Sequence, residues 1–507
     1  MSDLLERRPH FVFVLLFAFF ALNVVLRVLL PPSLELDEAE QMFVSQWLAL
    51  GYSNQPPFYN WLQYGANAVL GVSVLSLSLL KNGMLFVSYL LLGLTAFGML
   101  RDKRLAVIAS LGLFMISQIG YGAQRDLTHT VAVIFSSSLF LYGLFRTVDR
   151  PTGFSYLLMG LAIGVGAISK YNFLLLPGSV FLAALWDDGL RRRIFDRRIL
   201  LAALATLLII IPHAIWFVEN LDHATSRTLE KLTDNSGTGT VHQVLLGLYS
   251  LTEALVGVSS LILLIFAAVF GRQMFTALRT GNRWTRLIER TWIVAFLALL
   301  GLVLFFGVSE IRDRWLIPLV MPLPLYLCLK LEEAGADTSK PFRILLGIAL
   351  AIMVIIPSVL GLRVVTAGWT GNYQKLNVPY GPMINRLMAE APVSPAAIVA
   401  GDGQLAGTIR LHVSDVPILA PAGQQFFPGI AADRPILVIW RSGRKVDLAS
   451  SPEMPGNVAR FIERNLPDSR PEGLVRHVDV PYHYGAPGDT NRFYYQWMDT
   501  GTQKPSP

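Results

Sequence analysis

FVFVLLFAFFALNVVLRVLL, residues 11–30, runs directly into PPSLELDEAE, residues 31–40. Twenty residues with a single charge, Arg27, cover about 30 Å as a helix, the thickness of a bilayer's hydrocarbon core. Arg7 and Arg8 precede the run, and no small-residue cleavage site follows it. It therefore reads as a retained span and not as a removable signal peptide. The four acids that follow, Glu35, Asp37, Glu38 and Glu40, begin the first loop on the far side.

The rest of the chain repeats the apolar theme. Of its 507 residues 53% are hydrophobic and 15% charged, against roughly a quarter charged in soluble proteins. That composition excludes a purely soluble enzyme and a disordered chain. The lone cysteine, Cys328, excludes a disulfide scaffold. Ten further apolar runs lie at 82–100, 105–121, 127–145, 154–169, 173–186, 199–217, 243–270, 292–309, 315–329 and 344–362. The pair 154–169 and 173–186 is read as a hairpin with Lys170-Tyr171-Asn172 at its tip, because basic clusters flank both ends.

Threading eleven spans with the N-terminus inside leaves 20 Lys and Arg in the inner windows. The outer loops before the tail hold six: Arg125, Lys170, Arg227, Lys231, Arg312 and Arg314. Positive charge concentrates on the cytoplasmic side of membrane proteins. The tail, 367–507, is then periplasmic, and 1–366 is the membrane region. With 13 basic and 12 acidic residues, the tail is a different kind of polymer. Strands are expected at 396–400 and 435–440 and a helix at 403–412, enough for a small α/β domain.

The first outer loop, 31–80, contains no Lys or Arg but carries Trp47, Tyr52, Phe58, Tyr59, Trp61 and Tyr64. These aromatics suggest helices lying in the membrane interface, roofing a cavity. The acids at its start have a bland reading, a solvated helix N-terminus capped by Asp37, and a functional one, a general base held at the membrane surface. Arg125-Asp126 is in the same way either an interfacial charge pair or part of a site. Lys170, Arg125, Arg312 and Arg314 share the cation-poor outer face, where they suit an anionic lipid phosphate. Arg27 is close enough to its span's end to snorkel outward.

Several stretches together resemble a known family: Leu36-Asp37-Glu38-Ala39, Gln55-Pro56-Pro57-Phe58-Tyr59, Arg125-Asp126, the glycine-rich run 160–170 ending in Lys170, and Arg314-Trp315-Leu316-Ile317-Pro318. The chain is similar, over about residues 1–330, to the family 39 type of C-fold glycosyltransferases. These include lipid A aminoarabinose transferases, rhizobial lipid A and core galacturonosyltransferases, and bacterial relatives of protein mannosyltransferases. The resemblance implies a polytopic α-helical membrane protein of C-type fold. It also implies inverting sugar transfer from a polyprenyl-phosphate donor to lipid A, lipopolysaccharide core, another glycan or a protein. Asp37 then matches the essential first-loop carboxylate, Glu38 its neighbour, Asp126 a second-loop acid and Lys170 a phosphate ligand. Gln55 stands where the family often has histidine.

Such a donor needs no nucleotide, and no phosphate-binding nucleotide motif is present. No cofactor is required, no nucleic acid is expected, and His129, His213, His223 and His242 lack metal-ligand spacing. A divalent cation on Asp37 or Asp126 is chemically open but not expected. The rival class is a lipid or glycan flippase or exporter, for which Glu253 would be the membrane carboxylate. It lacks support from any internal repeat.

Overall fold

The computed structural model describes residues 1–52, 55–221, 240–391, 393–427, 430, 434–441 and 453–500. Arg227, Lys231 and His223 lie outside the described residues. All eleven apolar runs fall on helical segments. Seven helices are long and apolar enough to cross a membrane: Phe11–Leu29, Val74–Met99, His129–Asp149, Ile199–Glu219, Val241–Phe270, Arg283–Phe306 and Ser339–Val365. The pair Lys103–Met115 and Gln118–Arg125 makes an eighth crossing if its 70° bend lies within one span.

Three further expected runs are short or broken, each for a local reason. Gly153–Ala167 and Tyr171–Ala184 are separated where Lys170 turns to extended backbone. The run 315–329 divides into Ile317–Val320 and Leu323–Glu333, because Pro322 and Pro324 lack the amide hydrogens that a continuous helix needs. The Val74–Met99 helix begins earlier than hydropathy suggests. Lys81, expected at the loop's end, is therefore inside a helix and buried.

The chain forms two compact units. One comprises Met1–Leu22, Ala49–Tyr59 and Lys81–Ile356; the other comprises Asn23–Leu48, Asn60–Leu80 and Pro357–Pro507. Close helix packing organises the first. A Cβ at Gly160 would lie 2.2 Å from the Ala202 carbonyl oxygen, and one at Gly164 would lie 2.9 Å from Ile209. The glycine-rich run thus lets Gly153–Ala167 press against Ile199–Glu219, as small residues do between membrane helices.

In the second unit the tail builds a five-stranded mixed sheet: β1 (Ala397–Ala400), β2 (Ile418–Leu419), β3 (Ile436–Arg441), β4 (Arg470–Pro481) and β5 (Thr490–Asp499), in the order β2-β1-β3-β5-β4. β1 pairs in parallel with β2 and β3, while β5 runs antiparallel between β3 and β4. β1 is buried at all four positions, which explains its unbroken apolar run. The helix Gly403–His412, capped by Asp402, and the strands at 397 and 436 meet expectation. The β4–β5 hairpin has no such apolar signal, because β4 is mostly exposed.

Candidate active site

The acids of the first loop are in the second unit, on the helix Leu36–Val44. Glu35 caps this helix through a reciprocal box: its side chain accepts from the Glu38 amide, and Glu38 Oε2 accepts from the Glu35 amide at 3.2 Å. Both carboxylates are buried, Glu35 at 3% exposure and Glu38 at 2%. Each has its own arginine. Arg363, from the end of the last long helix, reaches Glu35 at 2.5 Å. Arg27 donates to Glu38 at 2.8 and 3.3 Å and to the Ser33 carbonyl at 2.7 Å. Arg27 therefore does not simply snorkel outward; it organises the loop that follows its own span. A buried ion pair tolerates desolvation only with such additional hydrogen bonds.

Asp37 stands between these two anchored acids on the helix's first turn, half-buried, and Glu40 is exposed. The tail holds the same helix from the other side. A Cβ at Gly407 would fall 1.9 Å from the Ala39 carbonyl oxygen, so the helices Gly403–His412 and Leu36–Val44 touch backbone to backbone. Gln404 donates to the Leu34 carbonyl at 3.1 Å. Gln46 exchanges two hydrogen bonds with the Ile418 backbone, at 3.0 and 3.1 Å, and so extends the sheet edge from outside.

The first unit gathers the other motifs. Lys170 Nζ donates to Thr130 Oγ1 at 3.3 Å, four residues past Asp126, which ends the short helix Ala123–Arg125. Asn172, at the tip beside Lys170, donates to the Trp315 carbonyl at 2.7 Å. Gln118, in the bent pair, donates to Asp313 at 2.5 Å. The Phe58 amide donates to the Ile168 carbonyl at 3.0 Å, and the Tyr59 ring is 6.1 Å from His129. One hydrogen-bonded cluster thus joins Pro-Pro-Phe-Tyr, the Asp126 corner, the Lys170 break and the 312–315 segment. Lys81 adds a second ammonium, bonded to the Gln124 carbonyl at 3.2 Å.

The expected phosphate cations differ in their surroundings. Lys170 and Arg314 are half-buried, and Arg125 is exposed. Arg312 pairs at 2.7 Å with Glu310, in an exposed bridge, and not with Asp313. Asp313 instead turns to Gln118 and accepts from the Arg314 amide at 2.7 Å. Glu253 is exposed, one turn beyond Ser250, whose hydroxyl accepts from the Ile311 amide at 2.6 Å. His213 is tied into the first unit by both ring nitrogens. It donates to the Leu50 carbonyl at 2.8 Å and accepts from Tyr171 at 3.1 Å. Among the described residues no group of three His, Cys, Asp or Glu side chains is placed to hold a metal ion.

Sequence reading missed Glu35, Arg27 and Arg363 as the frame of the acid helix. An arginine in an apolar run is itself a signal that a partner exists. The Glu35–Arg363 pair, separated by 328 positions, leaves no local trace.

A multi-pass helical core with an acid-bearing first loop and a mixed-sheet tail is the architecture of a C-fold membrane glycosyltransferase. It is similar in fold to ArnT from Cupriavidus metallidurans, solved with undecaprenyl phosphate: TM-score 0.60 and 14% identity, covering 96% of this chain and 97% of that one. Residues 54–216 match the family described as dolichyl-phosphate-mannose-protein mannosyltransferase. The lipopolysaccharide core galacturonosyltransferase RgtB of Rhizobium johnstonii is 46% identical over 499 residues, covering 98% of this chain and 99% of RgtB. RgtA of the same organism is 41% identical over 494 residues, 97% of each chain. The chain belongs to this family of galacturonosyltransferases and is a glycosyltransferase.

Proposed function

We propose that the protein transfers galacturonic acid from a polyprenyl phosphate to the core of lipopolysaccharide, with inversion, at the outer face of a bacterial inner membrane. The sugar and acceptor follow the names of the two relatives similar over nearly the whole chain. The donor class follows the lipid-phosphate carrier in the solved fold neighbour. Residues 1–366 form the membrane catalytic region and 367–507 the periplasmic domain, an orientation supported by the 20-to-6 split of basic residues.

One observation carries the chemistry: half-buried Asp37 rides on the first turn of a helix whose start is held by two buried carboxylate–arginine pairs. A general base must be stationary and within reach of the proton it removes. In the reaction the acceptor oxygen bonds to the anomeric carbon as the carbon–oxygen bond to the lipid phosphate breaks. The acceptor proton passes to Asp37, assisted by Asp126, and the phosphate leaves with the electron pair. Lys170, Arg125, Arg312 and Arg314 stabilise the charge that develops there. Glu38, read from sequence as a catalytic neighbour, acts by positioning: both its oxygens are engaged by Arg27.

The test is purified protein in detergent with polyprenyl-phosphate galacturonate, offered core, lipid A and protein acceptors, and read by mass spectrometry. Galacturonate on the core supports the reading. Transfer from a nucleotide sugar without lipid carrier refutes it, and transfer to protein alone moves the activity to protein O-glycosylation.

A further inference from the structure

The end of the last long helix is joined to the tip of the β4–β5 hairpin. Asn377, fully buried, donates from one amide nitrogen to the Val364 carbonyl and to the His483 carbonyl, each at 2.9 Å, and accepts from the His483 amide at 2.8 Å. A Cβ on Gly368 would lie 2.7 Å from the Tyr484 carbonyl oxygen and 2.8 Å from the Ala486 amide nitrogen. Tyr373 stacks on Tyr482 with ring centroids 4.2 Å apart, bonds Asp489 and accepts from the Ala486 amide at 3.1 Å. The hairpin tip therefore has a fixed position at the end of a membrane-spanning helix.

That joint displays two aromatic side chains. Trp369, in the short helix Ala367–Thr370, is 90% exposed, and Tyr484 is 49% exposed. Tyr484 is also the one described non-glycine residue with a positive φ, 56°. A bulky residue in that conformation is uncommon and persists where the surroundings impose it. The apolar run of the last span ends at Leu362. Trp369 lies seven residues further on, at most about 10 Å beyond the hydrocarbon even along a straight helix. The head-group layer occupies about 5–7 Å on each side of the core, and the chain turns at Thr366. Tryptophan and tyrosine favour this layer, where the ring is shielded and its polar edge stays wet.

We infer that Trp369 and Tyr484 form a lipid-facing anchor that seats the β4–β5 hairpin tip in the head-group layer of the outer leaflet. The occupant is the bilayer itself, because the surface is continuous with a helix that crosses it. The anchor gives the soluble domain an attachment to the bilayer itself, besides the covalent one and its contacts with Leu34 and the helix Leu36–Val44.

The experiment uses the full chain in lipid nanodiscs. Tyr484→Cys is spin-labelled, with Trp369→Cys as a second site in case the first variant folds poorly, and native Cys328 is buried. Leu474→Cys is the control, 88% exposed and about 25 Å away along β4. Collision rates are measured with oxygen, which partitions into lipid, and with a water-soluble nickel chelate. The inference expects a ratio of oxygen to nickel accessibility several-fold higher at 484 and 369 than at 474. Equal ratios at all three sites would overturn it. So would protection from both reagents, which would mean that protein, such as a second copy, covers the joint.

Discussion

Removing the Arg27 side chain separates positioning from chemistry at the acid helix. In Arg27→Met, Glu38 keeps a carboxylate at 2% exposure without its guanidinium. Losing one partner of a buried ion pair costs about 3–5 kcal/mol, and the Ser33 carbonyl loses a donor as well. The variant should therefore unfold more easily and turn over slowly, because the helix start that carries Asp37 is no longer held. Adding Glu38→Gln removes the stranded charge while an amide oxygen still accepts from the Glu35 amide. The double variant should recover about 2–3 kcal/mol relative to Arg27→Met, leaving a deficit of lost hydrogen bonds of about 1–3 kcal/mol. Turnover should rise with it, to within about tenfold of the parent, or 1.4 kcal/mol. Thermal melting in detergent and initial rates of galacturonate transfer on the same preparations provide the readout. A double variant that regains stability but stays as slow as Arg27→Met would refute the positioning role and make Glu38 a participant in the reaction.

Gly407→Ala places a methyl group 1.9 Å from the Ala39 carbonyl oxygen; the two helices must separate, and kcat should fall with little change in donor KM. An unchanged kcat per folded molecule would detach the tail from the acid helix. Lys170→Ala removes a charge-assisted contact of about 1.5–3 kcal/mol, so kcat/KM for donor should fall roughly 10- to 150-fold; unchanged donor kinetics would remove Lys170 from the donor site. Burial pulls His412 and His483 below the ordinary histidine value of 6.5. The unfolded chain then binds protons that the folded domain does not, so stability should be constant above about pH 6.5 and decline below it. Melting curves from pH 7.5 to 5 check this, and His483→Gln should flatten the decline.

Much of this architecture is legible in the residues because its causes are local. Hydropathy marks all eleven helical runs, although it does not mark the break near Pro322. Asp402 caps its helix as the chemistry of its side chain implies. What escapes reading depends on distant partners. The hydropathy run begins at residue 82, yet the helix begins at Val74, where the buried Ser76 hydroxyl finds acceptors in the Asn67 side chain and the Ser73 carbonyl, at 2.7 and 2.8 Å. Gln46, a polar residue in a loop, gives no sign that it will lengthen a sheet edge at Ile418. The site divides in the same way. Asp37, Asp126 and Lys170 stand in recognisable stretches. Glu35 and Glu38, in contrast, owe their buried settings to Arg363 and Arg27, pairings that the stretch around them does not announce.

The central claim is that Asp37 is the base or orienting group of the transfer, and Asp37→Asn tests it most directly by preserving size while removing the charge. With polyprenyl-phosphate galacturonate and a core acceptor, kcat should fall by about 10²–10⁴, with melting temperature and membrane insertion unchanged. An Asp37→Asn protein turning over within a few-fold of the parent would contradict the account.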